Sequence, residues 1–426
     1  MRAEDTAISL RAIGRPALAA IVDADGDTPL DAYSARLHAH APLVPLEPAL
    51  AAAFRRELTR GGHTALAVDS ALGDLERRRV LPTATHVTLS EGPIFLAMHR
   101  VATLGLDPEI PYLVGACSGI PFSNDAAPGC LNVGRRTPLS SLLNPASRAF
   151  KARARAAAGL DVPVDHRLSL LPWSLRDVSV FHATVPKTAR DVWSSLRPTL
   201  RAMVPEAPAG APFVPWALAT ASTILERCLD RHPIYLDLNA VVARYLETAL
   251  DDGAHPLHRV LFDATIRERV LCSLPRMPLF TAAPDPRSTF EPLHAEGDRL
   301  RGVHGDRPLT PATVLTGLRE GQLCPGVYLV FASLALQNGF RCLGGVDQVE
   351  YLPRLRDAAA VAGFAMPPAE VAVDALTTGR TVDDRGEAIH ALDVVLGTAL
   401  PPLSGVTLQG MLTPQLPRLL GRPFPG

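Results

Sequence analysis

The chain has 426 residues, 47% of them hydrophobic, enough to bury the core of one large domain with insertions or of two ordinary domains. Formal net charge is −1 and only 20% of residues are charged, so there is no basic footprint for nucleic acid or an acidic membrane surface. No run reaches the ~18 apolar residues of a membrane span, and the six cysteines form no C-x-x-C pair, which reads as a cytoplasmic protein with reduced thiols.

Residues 1–80 read as a helical lead-in. Within it residues 47–60, "EPALAAAFRRELTR", have proline at their start and Gly61-Gly62 at their close, the expected asymmetry of helix ends. "THVTL" (85–89) is short and β-branched. Gly92-Pro93 turn the chain, and Ile94, Ala97, Met98 and Val101 then share one helical face. The near-continuous apolar run 110–117 has the character of a strand covered on both sides. Strand, helix and strand in so short a span predict a right-handed parallel βαβ unit.

Residues 118–147 are rich in Gly, Pro, Ser and Asn, too long and too polar for a plain connector. Residues 176–185 alternate like a strand. "PIYLDL" (233–238) predicts another strand, leading into a helix over 239–250 with Asn239 as its N-cap. A helix follows at 311–320, a last clear strand in "FRCLGG", and a helix from about 346. From 369 onward the chain is punctuated by Pro and Gly and lacks heptads. The expected fold is α/β, a doubly wound parallel sheet over 81–370, with a helical insertion at roughly 190–310 and an irregular or helical segment over 371–426.

In such a sheet ligands sit beyond the carboxyl ends of the strands, and three loops occupy that position. The first is "HVTLSEGPIF": His86 is the candidate general base, and Gly92 and Pro93 begin a helix whose free N–H groups can receive an anion, or merely make a tight turn. The second is "GACSGIPFSND". Ser118, Ser123, Asn124 and Asp125 offer donors and acceptors there; Asp125 can hold a ribose hydroxyl, an amine or Mg²⁺, or only shape a turn. Cys117 beside them is a nucleophile or a buried thiol. The third is "GGVDQVEY". Gly344 and Gly345 allow close approach to the backbone, or simply tight strand-to-helix packing, while Asp347, Gln348 and Tyr351 form the grip on a small molecule. His255-x-x-His258 has ligand-like spacing without a third ligand, so no metal site is expected. P-loop, G-x-S-x-G and G-x-G-x-x-G motifs are absent.

Two of these loops carry a resemblance. "GGVDQVEYLPRLRDAAAVAGFAMPP" resembles a Gly-Gly-x-x-Glu-x-x-Tyr segment, helix and Met-Pro close of the bacillithiol biosynthesis cysteine-adding enzymes: Gly344, Gly345 and Tyr351 match, and Gln348 stands at the Glu. "TATHVTLSEGPIF" is similar to that family's Thr-Gly-His/Gln-Gln-x-x-Leu-x-x-Gly-Pro turn, through Thr83, Leu89, Gly92 and Pro93. The resemblance runs discontinuously over about 80–370. It implies a Rossmann-like core related to nucleotidyl transferases, with which a nucleotide is associated (ATP or another adenine nucleotide is the candidate), and condensation of cysteine with an amino-sugar malate. Two features depart from it. The family's acidic Gly-Glu-Asp-His-Asp loop is replaced by "GACSGIPFSND", and its C-terminal coiled coil has no counterpart. The expectation is therefore a shortened relative that joins an amino acid or amine to a small carbonyl or sugar-like acceptor, with His86 and Asp125 as catalytic residues. The alternative is a non-catalytic relative that binds a ligand or a partner protein. Small-molecule substrates, no nucleic acid, no membrane, and a monomer or a homodimer through a globular face complete the expectation.

Overall fold

Five helices precede the first strand in the computed structural model: α1 (Ala3–Ala12), α2 (Pro16–Asp25), α3 (Leu30–His38), α4 (Pro48–Arg60) and α5 (Ala65–Arg78). The structure describes residues 2–39, 44–87, 90–119, 213–272, 277–282, 291–303, 305–364, 374–377 and 379–421, with 194, 198–199, 202–203 and 274 besides. Proline opens α2 and α4, where a missing N–H costs nothing, and the Thr64 hydroxyl caps α5 by accepting from Ala67 N at 3.3 Å. Arg79 then adopts φ 46°, a left-handed turn that ends α5 and starts the sheet.

The parallel strands are β1 (Val80–Pro82), β2 (Thr85–His86), β3 (Tyr112–Cys117) and β4 (Pro233–Asp237), with β10 (Arg341–Gly344) and β11 (Asp374–Leu376) later in the chain. They form two three-stranded sheets, β1-β10-β11 and β2-β3-β4, parallel throughout. Residues 80–87 join the two: Thr83 N donates to Leu343 O (3.0 Å) on one side, and Val87 N to Cys117 O (3.3 Å) on the other. A single broken strand thus belongs to both sheets. α6 (Pro93–Leu104) crosses between β2 and β3, as the βαβ pattern predicts. β3 is buried along its whole length: Tyr112, Val114 and Ala116 join the core that contains α6, and Leu113 and Cys117 join the opposite one. Helices cover both faces, α6 and α7 (Phe213–Glu226) on the first, α4, α5 and α8 (Leu238–Ala249) on the second.

Over 250–340, which overlaps the helical insertion expected at roughly 190–310, helices share the chain with an antiparallel sheet. Helices α9 (Pro256–Phe262) and α10 (Ala264–Cys272) are followed by β5 (Phe280–Ala282), β6 (Glu291–Glu296), β7 (Arg299–Gly302) and β8 (Gly305–Pro308). After α11 (Pro311–Arg319), β9 (Leu323–Pro325) completes an antiparallel sheet of order β8-β7-β6-β5-β9. Strands of three to six residues with few β-branched residues carry almost no periodic signal, and cross-strand pairing forms them. α12 (Val327–Phe331) runs on as a buried π-helical turn, Ala332–Gln337, into β10. α13 (Gln348–Ala360) follows. The C-terminal part holds the short helices α14 (Ala391–Val395), α15 (Leu408–Leu412) and α16 (Leu416–Leu420). The strand expected at 176–185 lies outside the described residues.

Candidate functional site

Every parallel strand ends on the same edge, and three groups of side chains meet there. The first is the β10–α13 turn. The Gln348 carboxamide lies against Gly344, and a Cβ at that position would fall inside contact distance of all three terminal atoms of Gln348. Gln348 is 3% exposed, donates from Nε2 to Cys342 O (3.2 Å) and accepts from Thr83 Oγ1 (3.1 Å), which ties α13 to the broken strand. Gly345 O accepts from Val349 N in the first turn of α13. Asp347 is exposed and receives Arg15 Nη1 at 2.8 Å, while Glu350 caps α2 by accepting from Leu18 N at 2.8 Å. The Tyr351 ring is half-buried against Phe331, with centroids 5.6 Å apart. Packing therefore occupies much of the chemistry of this turn.

The second group surrounds the start of α6. Gly92 is its N-cap and Pro93 its first residue, and a Cβ on Gly92 would meet open space. The His86 ring lies 6.2 Å from Phe95, and burial pushes its imidazole down to about 4 despite the opposing charge of Glu91. His86 is thus neutral at pH 7 and a weak base, not the base of near-neutral pKa expected from an unperturbed histidine. Glu91 is buried. Its Oε1 accepts from Tyr235 OH at 2.7 Å and sits 3.6 Å from His99 Nε2, whose Nδ1 is 2.7 Å from Tyr112 OH. Burial, and next the charge of Glu91, hold both tyrosine hydroxyls well above their ordinary value, so they remain protonated. The segment after β11 straps across this group: Thr377 N donates to Gly344 O (3.0 Å), Thr381 N to Pro93 O (3.0 Å) and Ala391 N to Glu91 O (3.1 Å).

The third group stands at the ends of β3 and β4. Asp237 caps α8 through Asn239 N (3.1 Å) and Ala240 N (3.2 Å), and accepts Ser118 Oγ at 2.6 Å. The cap is thus Asp237, two residues earlier than the Asn239 expected. Asn239 instead accepts from Gly119 N (3.0 Å) and donates to Pro325 O (2.8 Å). Glu57 Oε1 accepts from Asp237 N (3.0 Å), and Arg60 neutralises Glu57 through Nε at 2.8 Å. Burial, then the Glu57 charge, pushes the Asp237 carboxyl up to about 6. Cys117 lies in extended strand with its thiol pushed up to about 12 by burial, which makes it an inert core thiol.

Thr83, three residues before the first loop, bonds Gln348 of the third (3.1 Å), and Ser118 follows the strand paired with His86. Ser123, Asn124 and Asp125 lie outside the described residues. His255 caps α9, accepting from Leu257 N (3.2 Å), with its other nitrogen 3.2 Å from Tyr245 OH. The His258 ring packs on Phe262 at 4.8 Å. No cluster of three or more His, Cys, Asp or Glu suited to a metal ion occurs among the described residues, and none of their helices is long and apolar enough to cross a membrane. Sequence reasoning passed over Asp237 and Glu57. Asp237 had a signal, a carboxylate closing an apolar strand directly before a helix in "PIYLDLN". Glu57 had none, because it occupies a helix position like any solvated one. No protein-family model matches the chain, and no curated protein does.

Proposed function

We propose that this protein is a small-molecule biosynthetic enzyme that joins an amino acid or amine to a small carbonyl or sugar-like acceptor at the carboxyl edge of the parallel strands. The strand order carries the reading. Counted through the shared residues 80–87 as one sheet, the order is β4-β3-β2/β1-β10-β11, or 3-2-1-4-5 in chain order, which supports the reading of a doubly wound, Rossmann-like sheet. The order reverses between β1 and β10, where Thr83, Gly344 and Gln348 gather, and ligands bind at such reversals. Retention of Asp237 adds support. A fully buried carboxylate held near pH 6 beside Glu57 costs stability at neutral pH, and such groups concentrate at working sites. An adenine nucleotide is the candidate cofactor that the resemblance offers, and the whole reading extends the resemblance to the cysteine-adding enzymes.

The test is thermal unfolding with ATP, with L-cysteine and with both. Ligand at ~100 times its Kd stabilises by about 2.7 kcal/mol, a shift of a few degrees. Product formation with a carbonyl acceptor should follow under the conditions that give the shift. Unfolding curves unmoved by every nucleotide and amine would end the enzyme reading. The non-catalytic alternative draws on Gln348, Asp347 and Glu350 being engaged in internal packing. A shift without turnover is its signature.

A further inference from the structure

One serine of α7 does not follow its neighbours. Thr220 and Thr223 turn their hydroxyls back along the helix, to Trp216 O (2.8 Å) and Ala219 O (3.0 Å), as helical hydroxyls commonly do. Ser222 instead sends Oγ outward to the chain that enters β4, where it meets Pro233 O and His232 Nε2, the latter at 3.4 Å. The other nitrogen of that ring, Nδ1, stands 3.1 Å from Glu226 Oε2, one helical turn beyond Ser222. A hydroxyl, an imidazole and a carboxylate thus follow one another, each within reach of the next. They gather at the amino end of β4, away from the carboxyl edge to which condensation is assigned above.

We propose that Ser222, His232 and Glu226 form a nucleophilic triad that takes small acyl groups from activated esters. An ionised carboxylate only accepts, so the ring proton lies on Nδ1 toward Glu226, and Nε2 is the acceptor that faces Ser222 Oγ. That is the tautomer a general base for serine needs. The 3.4 Å separation is the loose spacing such pairs show before substrate arrives. Pro233 O shares the hydroxyl proton, but a carbonyl oxygen is too weak a base to remove it; the imidazole is not. The side chains of His232 and Glu226 are 53% and 47% exposed, whereas Ser222 is 7% exposed, so the reagent enters over the imidazole and only a small acyl group reaches Oγ. The backbone N–H groups of Arg227, Cys228 and Arg231 are bonded to Ile224 O, Leu225 O and Leu229 O, and do not serve a developing oxyanion. The substrates that fit are therefore esters whose leaving group departs without help, such as a phenolate.

In the first step the Ser222 O–H bond breaks, its proton passes to His232 Nε2, and Oγ bonds to the acyl carbon. The ester C–O bond breaks with its electron pair on the leaving oxygen, which departs as phenolate, and the imidazolium gives its proton to bulk water. In the second step water adds to the acyl carbon. His232 Nε2 takes the proton of that water and passes it to Oγ as the acyl–Oγ bond breaks, which frees the acid and restores the serine.

The probes are p-nitrophenyl acetate and a fluorophosphonate, which reacts in the same way at phosphorus with fluoride as leaving group, both used on the full chain. Mass spectrometry should map the fluorophosphonate adduct to Ser222, and the ester should release nitrophenolate with transient acetylation of that residue. Ser222→Ala should abolish both. His232→Gln, at a half-exposed side chain, should slow both about a hundredfold or more. Glu226 is a positioning residue: Glu226→Gln should lower kcat about tenfold or more with KM unchanged, and Glu226→Asp should recover part of the loss. If Ser222→Ala does not fold, His232→Gln carries the comparison. No adduct at Ser222, adduct formation indifferent to His232→Gln, or an unaltered kcat in Glu226→Gln overturns the triad. None of these results touches the condensation reading, which concerns other residues.

Discussion

Gly344 lies under the Gln348 carboxamide, and that contact links a glycine visible in the sequence to a bond that is not. A methyl group at Gly344 must displace the carboxamide, and with it the bonds to Thr83 and Cys342. Gly344→Ala is therefore expected to destabilise by about 1–3 kcal/mol. Adding Gln348→Ala should cost little more, because the first change has already removed that side chain's bonds. Denaturant unfolding of the two single variants and the double variant measures this; additive effects would show that the glycine answers to something else. Asp237 tests the other side of the edge. Its folded pKa of about 6 lies above the ~3.9 of an unfolded chain, so the native state binds the extra proton. Its contribution is most favourable below pH ~4 and is lost as pH rises through about 6. Asp237→Asn keeps a capping side chain without the charge, so it should gain on wild type by about 2 kcal/mol between pH 4 and pH 7. A stability difference that stays flat over that range would mean Asp237 ionises without cost.

At the scale of elements, the start of α13 and the start of α2 hold one another. Glu350 accepts from Leu18 N at 2.8 Å, and Arg15, itself buried, reaches Asp347 at 2.8 Å. Carboxylates at helix starts satisfy free N–H groups and suit the dipole. Loss of such a cap costs about 0.5–2 kcal/mol. Glu350→Ala should therefore release the N-terminal helices before the sheet. Hydrogen exchange is the measurement: protection should drop over residues 16–25 and hold in β3. Uniform loss across the chain would make Glu350 a global core residue.

For the whole molecule, the broken strand at 80–87 unites the two parallel sheets, and the cores on both faces include it through Val80, Leu81 and Val87. Gly326 N bonded to Leu279 O (2.8 Å) ties the antiparallel strands to α12 and hence to β10. Structure shared in this way unfolds together, so far-UV circular dichroism and fluorescence should trace one coincident transition. Two separated midpoints would show that the sheets melt independently. Light scattering decides between the monomer and the globular-face dimer proposed for the chain.

Helix ends, the βαβ unit and the alternation of helix and strand could be read from the sequence, because proline and glycine act on their own backbone and hydrophobic period is local. So could the glycines and the polar residues after them, as a place of interest. Their use could not. Whether Gln348 faces a ligand or fills the space over Gly344 depends on Thr83, 265 residues away in the chain. The ionisation of Asp237 and His86 depends on burial and on Glu57 or Glu91, and desolvation exists only once the walls are assembled. The antiparallel strands were hidden for a related reason: short segments gain their order from partners across the sheet, not from their own residues. The sequence alone determined which segments turn, which bury an apolar face and where the backbone admits close approach. Tertiary structure alone decided which polar atoms are spent on packing and which, like Glu91 Oε2, have no partner among the described residues, because that depends on neighbours brought from distant parts of the chain.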